Sequence, residues 1–166
     1  MKRLNSEDLN LCQVQARVFV ESLKLPESSA VFIRRFMYSN LADRMDSGTY
    51  FNEASTLSSM IDEVEEKYDR SYGKVKYSED ELYWIGYLYR YWAQADKKRS
   101  KNIYRIAGAS EMRKLYYPLH TMDPERAIIE IMEINNMENS LDEEKRRLEI
   151  MRRLILEKKN KKKVEK

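Results

Sequence analysis

The stretch ELYWIGYLYRYWAQ, residues 81–94, constrains the fold more than any other part of the chain. Six of its fourteen residues are Tyr or Trp, and only Glu81 and Arg90 carry charge. Directly before it, SEDE at 78–81 sets Ser78 and Glu81 three residues apart. That is the spacing of a capping box, in which the serine accepts from the third helical amide and the glutamate reaches back. A helix is therefore predicted from here to about Ala95. On it, Tyr83, Tyr87 and Tyr91 recur at i, i+4 and i+8, with Trp84, Leu88 and Trp92 one column over. Ile85 and Tyr89 fill a third side. A helix apolar all round is a buried helix, so this element reads as a central spine. Gly86 costs about 1 kcal/mol against alanine in a helix and marks a close crossing by a neighbour.

The same helix supports a second reading. A buried tyrosine hydroxyl without a partner costs about 1–3 kcal/mol, so some of these rings should reach the surface. Tyr, Trp and Arg dominate binding hot spots. Arg90, alone among rings, either pairs with a buried carboxylate or lies at an exposed edge. Stacking platforms for nucleic acid interleave aromatic with basic residues, and only Arg90 qualifies here.

The remaining elements read as helices too. The chain has 166 residues with four Gly and three Pro, and 36% of it is charged. That balance favours helix over a sheet protein with many turns. A first helix is predicted over 6–24 and ends at Pro26. A second runs from Ser28 or Ser29 to about Met45, and a third from Thr56 to Tyr68. Glu63, Glu65, Glu66 and Asp69 on or just past the third read as a solvated acidic face. Short helices are expected near 100–107 and 110–117, the latter interrupted by Pro118. Asp123 followed by Pro124 is a favoured helix start, with an end near Asn135-Asn136. Ser140 and Glu143 repeat the capping-box spacing and open a last helix carrying Leu141, Leu148, Met151, Leu154 and Ile155. The expected fold is all-α: one domain of six to eight helices, 1–157, around the aromatic helix, with a disordered basic tail at 158–166.

The net charge of +3 conceals an asymmetry. Residues 158–166, KKNKKKVEK, carry six Lys and one Glu, or +5, which leaves the rest of the chain at −2. Weak, non-specific contact with nucleic acid is therefore confined to Lys158, Lys159, Lys161, Lys162 and Lys163. No run of ~18 apolar residues suggests a membrane span, and no apolar segment follows the basic start as in a signal peptide. One cysteine, Cys12, excludes an internal disulfide and any multi-cysteine zinc site. The expected location is the cytoplasm. No metal or cofactor is expected.

His120 is the one histidine. With Arg113 it forms the spacing R-x6-H, which resembles the loose R-x4-6-H pattern of the HEPN ribonucleases. The resemblance implies Arg113 and His120 as catalytic residues in RNA cleavage. Pro118 inside the interval and Lys114 after the arginine depart from that pattern. The competing reading makes His120 a loop residue bonded to a helix end or to the Asp123 cap. No nucleotide-loop or zinc-protease motif occurs, so no catalytic residue is assigned.

The segments VFIRRFMYSNLADRMD (31–46), ELYWIGYLYRYW (81–92) and EMRKLYYPLHTMDPERAI (111–128) are together similar to a group of small, all-helical bacterial proteins, mostly from Firmicutes. Genes of that group are associated with neighbouring ADP-ribosyltransferase-like toxins. The resemblance implies an antitoxin or accessory subunit of a toxin–antitoxin system, which binds a partner protein and performs no catalysis. The partner-binding residues expected are Tyr83, Tyr87, Arg90 and Tyr91 on the aromatic helix, with Tyr116, Tyr117, His120 and Asp123 as a second contact. An RNA-interacting protein is the alternative.

Overall fold

A computed structural model describes residues 1–50, 55–137, 140–143, 145 and 148. Every regular element among them is a helix: α1 Ser6–Glu21, α2 Ser29–Met37, α3 Asn40–Ser47, α4 Leu57–Glu65, α5 Glu79–Asp96, α6 Ser100–Ile106 and α7 Ala109–Leu119, then α8 over 124–137. The chain forms two compact units, Met1–Ile131 and Met132–Lys166.

The helix starts follow local chemistry. Ser78 and Glu81 form the expected capping box at α5. Asn5 and Asp8 form another at α1, and the Thr56 side chain caps α4. The single helix expected over 28–45 is instead two. The Ser39 hydroxyl accepts from the Ala42 amide and starts α3 afresh. In α7 the difference runs the other way, because the helix continues through Pro118 to Leu119. Proline removes one amide donor, but Pro118 and Lys114 are both exposed, so water can serve the orphaned carbonyl. Beyond it the His120 amide bonds the Tyr116 carbonyl at 2.8 Å.

In the first unit α1 lies along α5. A Cβ on Gly86 would stand 2.8 Å from the Ala16 Cα and 3.0 Å from the Gln15 carbonyl oxygen. The two backbones therefore approach as closely as the missing side chain permits, which confirms the crossing expected at this glycine. The core around them holds Trp92, Tyr89, Ile85 and Leu82 of α5, with Cys12, Ala16 and Phe19 of α1. Phe19 meets Phe36 edge-on at 5.1 Å and Phe32 at 6.0 Å. The Tyr89 hydroxyl, wholly buried, donates to the Ala107 carbonyl at 2.6 Å.

Three polar assemblies tie the helices together. Arg90 is fully buried. It donates to Asp46 at 2.6 Å, Gln15 at 2.8 Å and Ser100 at 3.2 Å. Asp46 in turn accepts from the Ser100 amide and hydroxyl, each at 2.7 Å. The second assembly centres on Arg35, which ion-pairs with Glu65 and Glu27 and lies 4.7 Å over the Tyr68 ring. Burial and the neighbouring Glu27 charge raise the Glu65 pKa. Glu63 pairs with Arg44 through two bonds of 2.7 and 2.8 Å, which holds its carboxyl below the usual range. The acidic face expected on α4 is thus partly spent inside the fold. In the third, the connection before α5 straps onto residues 25–29: the Ser29 amide bonds the Val75 carbonyl at 3.1 Å, and Lys76 donates to the carbonyls of Leu25, at 2.6 Å, and Glu27.

Burial also silences Cys12, whose thiol is pushed up to about 12 chiefly by desolvation. An unfolded thiol ionises near ~8.5. The native chain therefore holds this proton where the unfolded chain releases it, and stability should fall as pH rises between those values. Replacing Cys12 with alanine should flatten that alkaline decline in urea titrations. In the native protein at pH 8, Cys12 should react with a thiol reagent only in step with unfolding.

In the second unit α8 passes through Asn135 and Asn136, where an end was expected. Ser140 is helical and its hydroxyl donates to the Met137 carbonyl at 2.8 Å, a bond to a preceding turn rather than an N-cap. Leu141 and Leu148 are exposed. Met151, Leu154, Ile155 and the lysines at 158–163 lie outside the described residues. Among the described residues, no helix is long and apolar enough to cross a membrane, and no group of His, Cys, Asp and Glu is placed to hold a metal ion.

Candidate functional site: an aromatic cleft between α5 and α7

Helix α5 divides into two faces. Leu82, Ile85, Gly86, Leu88, Tyr89, Arg90 and Trp92 are buried. Asp80, Tyr83, Trp84, Tyr87 and Tyr91 keep part of their surface. The spacing i, i+3, i+4, i+7 from Asp80 to Tyr87 puts these side chains on one side of the helix. Helix α7 brings Tyr116 and His120, one turn apart, to the same place. Together Asp80, Tyr83, Trp84, Tyr87, Tyr116 and His120 line an open cleft of about 310 Å³.

The rings are ordered. Tyr83 and Tyr87 stack at 6.4 Å with 18° between planes, and Tyr87 and Tyr91 at 6.3 Å with 28°. Across the cleft Trp84 meets Tyr116 edge-on at 5.7 Å, and Tyr116 stacks on His120 at 4.7 Å. His120 Nδ1 stands 3.1 Å from the Tyr116 carbonyl oxygen and 3.0 Å from that of Tyr117. A carbonyl only accepts, so Nδ1 carries the proton, and in the neutral ring Nε2 holds the lone pair. The Tyr91 hydroxyl donates to Glu125 at 3.1 Å. Its pKa is pushed up to about 12, by burial first and then by that carboxylate. Burial likewise raises Tyr87.

Of the residues expected to bind a partner, Tyr83, Tyr87, Tyr116 and His120 meet in the cleft. Tyr91 extends the ring ladder beyond it. Tyr117 projects beside it, 84% exposed, with its ring 6.3 Å from His120. Asp123 is exposed outside the lining and receives the Ala127 amide on its carbonyl at 2.9 Å, as the first residue of an α8 N-terminus should. Arg90 is placed differently from the expectation of a direct contact: it is buried and fully engaged within the fold, so no partner reaches it. The bonds of His120 to the end of α7 match the competing reading of that residue. Arg113, the other member of the ribonuclease-like spacing, donates from Nε to Glu81 at 3.0 Å and lies 4.5 Å over the Tyr77 ring. Neither of those contacts turns it toward His120.

Asp80 and Trp84 were not singled out as site residues, although their spacing from Tyr83 and Tyr87 would have placed them there. The chain matches no protein-family model, no curated protein and no solved structure.

Proposed function

We propose that this chain is a non-enzymatic protein-binding module and that the aromatic cleft is its contact face. The observation that carries this reading is the convergence of Tyr83, Trp84, Tyr87 and Tyr116, partly exposed, around one open cleft. A ring offers much contact area for few torsions to freeze. Rings already held by one another, on two rigid helices, lose little freedom when a partner docks. Toxin neutralisation is the specific role in this proposal, and its support is the resemblance of residues 31–46, 81–92 and 111–128. The proposal sets the protein in the cytoplasm, where a free thiol such as Cys12 persists.

The test is affinity capture with tagged wild-type chain, Trp84→Ala and Tyr87→Ala, each shown to be folded by circular dichroism. The wild type should hold one protein in near-stoichiometric amount after nuclease treatment. Each variant should weaken that complex about ten-fold or more, the scale of a hot-spot ring. Undiminished capture by both variants would remove the cleft from the interface. Loss of all partners on nuclease treatment would favour the RNA reading instead.

A further inference from the structure

We infer that the cleft takes a cationic side chain of the partner, an arginine guanidinium or a lysine ammonium, seated on the rings beside Asp80. The inference rests on the protein-binding reading and adds the chemistry that would be recognised.

Three features of the cleft converge on a cation. The first is the ring faces. An aromatic face is the negative pole of its quadrupole and attracts an ammonium or guanidinium within about 6 Å. Four such rings, Tyr83, Trp84, Tyr87 and Tyr116, line the cleft.

The second is charge. The lining contains the exposed carboxylate of Asp80 and no lysine or arginine. At the far end of the ladder a second carboxylate, Glu125, accepts from Tyr91. Arg113, on the same side of α7 as Tyr116 and His120, is not among the lining residues; it pairs with the Glu81 carboxylate and lies over the Tyr77 ring. His120 commits Nδ1 to backbone carbonyls. An anionic ligand would find no lysine or arginine among these lining residues.

The third is size. A cleft of about 310 Å³ lies at the lower end of ligand sites. It suits one long side chain, whose methylene stem packs on the rings while its charged end remains near Asp80 and water.

The two tryptophans give the experiment its own control, since Trp84 lines the cleft and Trp92 is fully buried. Blocked single-residue amides of arginine, lysine, citrulline and proline are titrated into the full chain, and the two indole N–H signals are followed by NMR. The arginine or the lysine amide should shift the Trp84 signal saturably and leave Trp92 in place. Citrulline, a neutral isostere of arginine, should bind about five-fold more weakly or worse, the worth of one cation–π contact. Asp80→Asn, a surface change, should weaken the cations several-fold and leave citrulline unaffected. Whether arginine or lysine binds better decides between the two sources, and either preference supports the inference.

Equal shifts from citrulline or proline would overturn it, as would an unchanged cation affinity in Asp80→Asn or no saturable shift at all. The two proposals fail separately. A partner lost on Trp84→Ala with an indole indifferent to charge would sink the cation and keep the module. Cation binding without any captured partner would do the reverse.

Discussion

Replacing Arg90 with methionine should lower the unfolding free energy by about 3–5 kcal/mol, the usual consequence of removing one member of a buried ion pair. The reason lies in what stays behind. Among the described residues, Asp46 would keep a largely buried carboxylate with Ser100 alone to bond it, and the side-chain amide oxygen Oε1 of Gln15 would lose its donor. Desolvation already presses the Arg90 pKa down, and the Asp46 charge opposes that pressure. The pair therefore persists only as a pair. Removing both charges, with Arg90→Met and Asp46→Leu together, should cost clearly less than the two single changes summed. Urea titrations of the four proteins give the coupling directly. A single-variant loss below about 1 kcal/mol, or full additivity, would contradict the network as described.

The second large effect is expected at Gly86. Glycine to alanine inside an exposed helix gains about 1 kcal/mol. Here the added methyl would meet backbone, the Ala16 Cα at 2.8 Å and the Gln15 carbonyl at 3.0 Å. Neither atom can rotate away, so α1 and α5 must separate and the core between them must loosen. Overpacking of this kind costs about 1–3 kcal/mol, which overrides the helical gain. Thermal unfolding of Gly86→Ala should therefore begin at lower temperature than in the wild type. A midpoint equal to or above the wild type would show that the crossing has room to give.

Much of this architecture can be read before any coordinates. The capping box at Ser78 and Glu81 needs only local bonds, and it stands where it was expected. So does the ring ladder, since residues four apart on a helix are neighbours whatever surrounds them. The break at Ser39 was hidden by an apolar stripe that runs on across it. Met37, Leu41 and Met45 keep the helical spacing through it, and the trace the break leaves is Ser39, a residue suited to an N-cap placed within that stripe. Arg90 shows where local reading stops. It stands one turn past Gly86, on the side that meets α1, and a helical wheel assigns it to that side. Nothing nearby in sequence reveals Asp46 or Gln15, which reach it from 44 and 75 residues away. The cleft was legible in half: α5 displays its spacing, whereas the placement of Tyr116 and His120 against it is set by packing.

The crossing of α1 on α5 also dictates an order of events during synthesis. Gln15 and Arg90 bond across 75 residues of chain, and Gly86 closes on Ala16 over a similar span. An all-helical protein built from neighbouring hairpins assembles quickly because its contacts are local. This one joins α1 to a helix made much later. Until the ribosome has released the chain through about Asp96, Ala16 lacks the helix it closes on, although Phe19 already has Phe32 and Phe36 of α2 to pack against. The face of α1 that meets α5 must wait open, which makes this segment a natural client for chaperones and the stage at which aggregation competes with folding.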